Sequence, residues 1–118
     1  MSEKDVDEFT WTGLGGREYR FFVHPISCEA VGPADRGIAV FAKKAGKTWR
    51  PIFIGHGALQ DLIRVRERDP CIRAQGATHV HVRIVRAPIG AIRTIALDLL
   101  KGNGAAQAPK GCTDRLDD

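Results

Sequence analysis

The alternation of hydrophobic and polar residues predicts two β-hairpins in the first half of the chain. Residues 9–13 and 17–24 carry aromatic or aliphatic side chains at every second position, which is the period of a strand with one buried face. The glycine-rich residues 13–16 join these two runs as a turn. After a loop, residues 38–44 and 48–55 have the features of a second pair of strands.

The next segment changes to a helical period. Residues 58–68 place hydrophobic side chains at the i, i+3 and i+4 spacing of an amphipathic helix, and Pro70 marks its end because the residue before a proline disfavours helical backbone. The residues on this spacing are Leu59, Leu62 and Ile63, and Arg66 follows on the same face at the i+7 position. A short connector then leads to Gly76.

Residues 78–86 return to strict alternation and predict another strand. One face would carry Val80, Val82 and Ile84, and the other face would carry His79, His81 and Arg83. We interpret the second set as the polar face of a strand that is buried on one side only. A basic strand face would also suit contact with phosphate.

A final helix is predicted over residues 89–101, with Pro88 in its first turn and Gly102 after its end. Its apolar residues cover more than one stripe, so it is either buried on several sides or presented to a partner, for which a homodimer through this helix is one expectation. These residues are Ile89, Ile92, Ile95, Ala96, Leu97, Leu99 and Leu100. The element order predicts an α+β fold, with a small, mainly antiparallel sheet that has an N-terminal hairpin and is packed by two main helices.

Composition divides the chain of 118 residues into three parts. Residues 1–8 are acidic and polar, which predicts a disordered leader rather than a signal peptide. Residues 9–103 carry the periodic elements and are expected to form a single domain. Residues 104–118 are rich in glycine, alanine, proline and charge, and they predict a flexible tail.

The predicted domain is more basic than the whole chain. Residues 9–103 contain 15 lysine and arginine residues against 7 aspartate and glutamate residues, whereas the two flanks carry 3 basic and 7 acidic residues. Eleven of the 15 are arginines, which suit phosphate contacts and stacking. A compact basic domain indicates a polyanionic partner, of which DNA or RNA is the commonest.

The sequence argues against a membrane protein and a disulfide-rich secreted protein. No stretch approaches the roughly 20 apolar residues of a transmembrane helix, so we expect no membrane partner. Cys28, Cys71 and Cys112 are widely spaced and include no CxxC pair. They predict neither a disulfide framework nor a zinc site, and therefore point to the reducing cytoplasm.

Two short segments of the second hairpin carry a resemblance to a known family. Residues 37–39, Gly-Ile-Ala, and residues 53–55, Phe-Ile-Gly, stand where the GIY-YIG nuclease superfamily has Gly-Ile-Tyr and Tyr-Ile-Gly. A helix, a strand and a helix follow in the family's order. Residues 76–81, GATHVH, resemble a short sequence motif of small bacterial members of the superfamily. The resemblance covers about residues 37–103 and implies the family's small antiparallel sheet and its divalent-metal site.

The departures from the family pattern imply a degenerate active site. Ala39 and Phe53 replace the two motif tyrosines, whose phenols would position the attacking water. The family's arginine falls near Leu62, with Arg66 one turn further along the same face. A site that lacks these groups would lose water positioning and stabilisation of the developing charge.

The metal ligand of the family is also missing. Its glutamate falls near Ile95 or Ala96, and Asp98, the only carboxylate in the last helix, points to another side. The resemblance therefore implies no catalytic residue in this chain. The remnant site positions are Gly37, Ala39, Phe53, Gly55, Arg66 and Ile95.

We expect phosphate contacts from basic residues around the second hairpin, the first long helix and the following strand. Trp49, beside Arg50, could stack on a base, and partial burial in the core is the alternative. The candidate nucleic-acid-binding residues are Lys43, Lys44, Lys47, Arg50, Arg64, Arg66, Arg68, His79, His81 and Arg83.

His79 and His81 also have the spacing of two metal ligands on one strand face. A third ligand would have to come from His56, His24 or Cys71, and no linear pattern provides it. We therefore predict no metal site from these histidines.

Three functions remain open. The first is a catalytically degenerate GIY-YIG-like domain that binds nucleic acid or a protein partner without cutting and needs no cofactor. The second is an endonuclease that uses Mg²⁺ or Mn²⁺ with a displaced ligand set, either Asp98 or His79 with His81. The third is a purely protein-interacting module whose charge is incidental. Salt dependence of DNA or RNA binding separates the first from the third.

Overall fold

The two predicted hairpins form, and a central strand joins them into one sheet. The computed structural model describes residues 7–114. Its strands pair in the order β1-β2-β5-β3-β4, and every neighbouring pair is antiparallel. The α+β class and the N-terminal hairpin predicted from the sequence are confirmed. The strands are β1 (Asp7–Thr12), β2 (Glu18–Pro25), β3 (Arg36–Ala45), β4 (Thr48–Ala58) and β5 (His79–Ile84).

The helices follow the predicted order with one addition. They are α1 (Leu59–Arg66), α2 (Pro70–Ala74) and α3 (Ile89–Gly102), with 3-10 turns at Cys28–Ala30 and Gly104–Ala106. The helix expected over residues 58–68 is shorter, and the expected connector contains α2. This short helix forms because Asp69 accepts a hydrogen bond from the Cys71 N–H (2.8 Å) and proline suits the first helical position. Within residues 7–114 no helix is long and apolar enough to cross a membrane.

Both faces of the sheet are covered. The side that packs against α3, here called the α3 face, includes the buried residues Trp11, Tyr19, Phe21, Ile38, Val40 and Ile54. The opposite side, here called the α1 face, packs against α1 and α2 through Ala39, Phe41, Ile52, Phe53, Val80 and Val82. The central strand β5 is therefore buried on both sides. Our interpretation of residues 78–86 as a strand with one polar, solvent-facing side is wrong.

The segment that follows α3 lies along the outer edge of β4. The backbone N–H of Cys112 donates to the carbonyl of Ile52 (2.7 Å), and the Thr113 hydroxyl accepts from the N–H of Ile54 (3.0 Å). The side chain of Thr113 is buried. Residues 104–114 therefore satisfy backbone groups that an edge strand would otherwise leave open.

These contacts correct the predicted boundaries of the domain. The flexible tail expected over residues 104–118 is wrong for residues 104–114, and residues 115–118 lie outside the described part. Of the leader predicted over residues 1–8, Asp7 and Glu8 belong to β1, and the rest lies outside the described part. Small side chains made the tail look structureless, but Gly111 packs so closely on Ala106 that no Cβ would fit there.

A disulfide fastens the edge segment to α2. Cys71 and Cys112 are bonded, with their Cα atoms 5.8 Å apart and a sequence separation of 41 residues. The prediction that the cysteines form no disulfide is wrong, because a pair so far apart leaves no local spacing pattern to detect. The three cysteines therefore give no reason to place the protein in the reducing cytoplasm.

Candidate functional site

The two segments that resemble the GIY-YIG motifs lie on adjacent strands. Ala39 pairs with Gly55, and Phe41 pairs with Phe53, so Ala39 and Phe53 are diagonal neighbours on the α1 face. Ala39 is fully buried and Phe53 is 5% exposed. The two positions that carry tyrosines in the family are thus close together, and neither has a hydroxyl group.

Arg66 lies beside these two positions. Its guanidinium carbon is 4.6 Å from the centre of the Phe53 ring, within the range of a cation–π contact. The same guanidinium donates to a carboxylate oxygen of Asp69 at 3.1 Å. Arg66 is therefore held over the motif by two neighbours while its side chain remains 37% exposed.

Ile95 lies apart from the other remnant positions. It packs on the α3 face, whereas Ala39, Phe53 and Arg66 contact the α1 face. The sheet separates the two groups. The remnant positions expected from the resemblance therefore do not converge, and a carboxylate at position 95 would not face Arg66.

The carboxylate of Asp98 has a local structural role. It accepts hydrogen bonds from the backbone N–H of Gly15 (3.1 Å) and from the Tyr19 hydroxyl (2.9 Å). These two bonds lower the pKa of Asp98, the backbone bond being the larger cause. Burial, followed by the bond to Asp98, raises the pKa of Tyr19. Asp98 thus fastens the β1–β2 turn to α3, which explains a carboxylate on this apolar helix.

Both motif glycines are required by packing. A Cβ at Gly37 would overlap the backbone carbonyl of Arg83 on the neighbouring strand, and a Cβ at Gly55 would lie 2.7 Å from the Phe53 ring. These close approaches demand glycine whatever chemistry the surface performs.

The candidate nucleic-acid-binding residues divide between the two faces. Lys43, Arg50, the α1 residues Arg64 and Arg66, and Arg68 just after α1 lie on the α1 side. Lys44, His79, His81 and Arg83 belong to the α3 face. Lys47 lies at the turn between β3 and β4 and is exposed. The structure therefore brings the ten residues together as two surfaces that meet at this turn.

Two of the candidate arginines form hydrogen bonds that connect segments of the fold. Arg50 donates to the side-chain oxygen (3.0 Å) and the backbone carbonyl (2.9 Å) of Gln75, which follows the C-terminus of α2. Arg83 donates to the carbonyl of Arg20 at 3.1 Å and lies over the ring of Tyr19. Both side chains are only partly exposed.

His81 lies at the centre of an aromatic cluster. Its Nδ1 accepts a hydrogen bond from the indole N–H of Trp11 (2.9 Å), and the Trp49 ring lies 4.6 Å away in an edge-to-face arrangement. Burial lowers the pKa of His81 to about 3. Because it is fully buried and neutral, its assignment as a nucleic-acid-binding residue is wrong.

His79 differs from His81 in its surroundings. It is partly exposed, and its Nδ1 is hydrogen-bonded to the Thr78 hydroxyl at 2.9 Å. Burial and the charge of Lys44 lower its pKa. Among residues 7–114 no three histidine, cysteine, aspartate or glutamate side chains come together as the ligands of a metal would.

The apolar side chains of α3 pack against other parts of the same chain. Ile92, Ala96, Leu99 and Leu100 are buried, and Ile95 and Leu97 pack against the same cluster. This packing explains the all-round apolar character of α3, which was the basis for expecting a homodimer through this helix.

An aromatic cluster not predicted from the sequence lies on the α3 face and consists of Phe9, Trp11, Trp49, His79 and His81. The available signal was the period-2 spacing of Phe9 with Trp11 and of His79 with His81, which places each pair on one face of its strand. Their convergence depends on strand order, which the alternation does not specify.

Comparison of the chain with models of protein families, with curated proteins and with solved structures gives no match. The residues of the two surfaces are thus the basis for assigning a function.

Proposed function

We propose that the chain is a GIY-YIG-like domain that binds nucleic acid without cleaving it. The observation that carries this proposal is the arginine at the motif position, since the guanidinium of Arg66 lies over Phe53. The exposed Arg64 and Arg68 lie two residues before and after it in the sequence. Cations without a water-activating group are suited to hold phosphates, and they cannot perform the family's hydrolysis unaided.

The charges around this surface favour a polyanion. Lys43 and Arg73 are exposed on the same side of the sheet. Two acidic partners reduce the positive charge, since Asp61 pairs with Arg64 at 3.1 Å and Asp69 pairs with Arg66. The Asp61–Arg64 pair is exposed, and exposed pairs contribute little stability, so a phosphate group can replace Asp61 as the partner of Arg64.

The positions of the other motif residues support binding rather than cleavage. Ala39 and Phe53 carry no hydroxyl to orient a water molecule, and Ile95 faces the opposite side of the sheet. Asp98, the displaced ligand considered in the second hypothesis, is engaged by Gly15 and Tyr19.

Fluorescence anisotropy with labelled DNA and RNA, measured over a range of salt concentrations, tests the proposal. We expect weak binding with little sequence preference, and replacement of Arg64, Arg66 and Arg68 by alanine should lower the affinity and reduce the salt slope. A matched control changes three exposed cations elsewhere, Arg20, Arg86 and Lys101, to alanine.

Two results would contradict the proposal. One is the absence of wild-type binding even at low salt, which would favour the protein-interaction hypothesis. The other is an equal loss of affinity in both triple variants, which would mean that Arg64, Arg66 and Arg68 contribute only net charge.

A further inference from the structure

Partly exposed aromatic rings lie on the α3 face near the β3–β4 turn. The Trp49 ring extends from β4 across β3 to β5, where its centre lies 4.9 Å from the His79 ring and 4.6 Å from the His81 ring. Ala42, which pairs with His79 and lies between them on β3, has only a methyl group. This small side chain leaves room for the indole to cross the middle strand.

The Trp49 ring is held in place by neighbouring side chains of the α3 face. His81 contacts Trp49, and it is itself fixed by the hydrogen bond from Trp11 and by the edge of Phe9, whose centre is 5.9 Å away. Phe9 and Trp49 both remain partly exposed. A ring that is already held in place loses little conformational freedom when a planar ligand stacks on it.

Positive charge accompanies these rings. The Lys44 ammonium lies 4.6 Å from the centre of the Trp49 ring, and Lys47 is exposed at the adjoining turn. Asp7 is the acidic group that faces His79. Lys44 is exposed and flexible, so its ammonium can move from the ring to a phosphate while a base takes its place.

We propose that this end of the α3 face is a stacking site for the bases of single-stranded nucleic acid, centred on Trp49. The inference rests on the proposed function and specifies its substrate. Bases in a duplex already stack on one another, whereas a single strand can place a base on a protein ring and its phosphates on nearby lysines. Lys43 and Lys44 lie on opposite faces of β3. A single nucleic-acid strand that passes the β3–β4 turn can therefore contact the α1 face and the α3 face.

Binding of an oligothymidine of roughly 15 nucleotides and of a duplex of the same length tests the inference. Trp49→Ala should weaken binding of the single strand by about 5- to 150-fold, and Trp49→Phe should restore most of it, because any aromatic ring offers a stacking face. Duplex affinity should change by less than about twofold. Tryptophan fluorescence of the wild type should be quenched by the oligothymidine, and Trp49→Phe should abolish the quenching because Trp11 is only 5% exposed.

A second pair of variants keeps the test decisive if Trp49→Ala does not fold. Lys44→Glu and Lys101→Glu alter exposed residues and change the charge equally, but only Lys44 lies beside Trp49. Lys44→Glu should weaken single-strand binding several-fold more than Lys101→Glu. Equal effects of the two lysine variants, or an undisturbed affinity in a folded Trp49→Ala, would overturn the stacking site alone. Failure of the wild type to bind either nucleic acid would overturn the proposed function as well.

Discussion

Trp11 donates its indole N–H to Nδ1 of His81, a residue 70 positions further along the chain. The bond joins the outermost strand β1 to the central strand β5 across β2. It places the proton of the neutral imidazole on Nε2. An ionisable side chain is therefore part of the sheet's interior and must stay uncharged for the cluster to keep its structure.

Mild acid should destabilise the protein through His81. Burial lowers the pKa of this histidine to about 3 in the folded state, whereas the unfolded chain titrates near pH 6.5. As the pH falls through about 6.5, the unfolded state takes up a proton that the folded state rejects, so stability is lost by roughly 1.4 kcal/mol per pH unit. Urea unfolding between about pH 7 and pH 5 measures this slope.

Two substitutions separate His81 from the other histidines. His81→Gln retains an acceptor for Trp11 and should flatten the pH dependence, and His24→Gln, at an exposed histidine outside the aromatic cluster, is the matched control. His79 contributes in the same direction because its pKa is also lowered. An unaltered slope in His81→Gln would show that His81 is not the proton-linked group.

Loss of the Cys71–Cys112 disulfide should loosen the edge segment. The bond closes a loop of 41 residues, and removing such a crosslink costs about 2 to 4 kcal/mol. Cys71→Ser should lower the free energy of unfolding by this amount and accelerate tryptic cleavage after the exposed Lys110. Cys28→Ser, which alters a cysteine outside the disulfide, is the matched control. Equal cleavage rates for wild type and Cys71→Ser would mean that the hydrogen bonds to β4 hold the segment alone.

Gly37→Ala should destabilise the sheet without adding or removing a polar group. The new methyl would overlap the carbonyl of Arg83 on β5, and relief requires separation of β3 from β5. We expect a loss of about 2 kcal/mol or more in denaturant unfolding. Gly90→Ala, on an open position of α3, should instead stabilise the protein by up to about 1 kcal/mol. A neutral Gly37→Ala would contradict the close approach of the two strands.

Addition of a phenol at the motif should create no nuclease. Phe53→Tyr places a hydroxyl near Arg66, but Ile95 remains on the opposite face and offers no ligand to a metal there. Supercoiled plasmid and structured RNA, incubated with the wild type or with this variant in Mg²⁺ or Mn²⁺, should stay intact. Cleavage that copurifies with the protein and stops on addition of a chelator would refute the non-cleaving assignment.

Local sequence signals predicted the elements of the fold well. The turns around residues 13–16 and 45–47 and the alternation of the flanking strands identified both hairpins, and Pro88 with Gly102 marked α3 within a residue. These features depend on backbone preferences and on contacts between near neighbours in sequence. Such information is present in short segments.

The errors concern contacts between distant segments. Alternation in β5 distinguishes two faces, but it does not say that both are covered, and His81 therefore looked exposed until Trp11 and Trp49 were placed beside it. The same limit applies to Ile95, which alignment by spacing alone assigned to the side of Arg66. Strand order decides both questions, and no local pattern encodes it.

The edge segment has a practical consequence for shortened forms of the protein. Composition recommends ending the domain at residue 103, yet that cut would remove Thr113 and Cys112 from β4 and leave the N–H of Ile54 and the carbonyl of Ile52 without their partners. An open β-edge pairs readily with another chain. A protein ended at residue 103 would therefore be prone to aggregate, whereas one that extends through residue 114 would keep the strand capped.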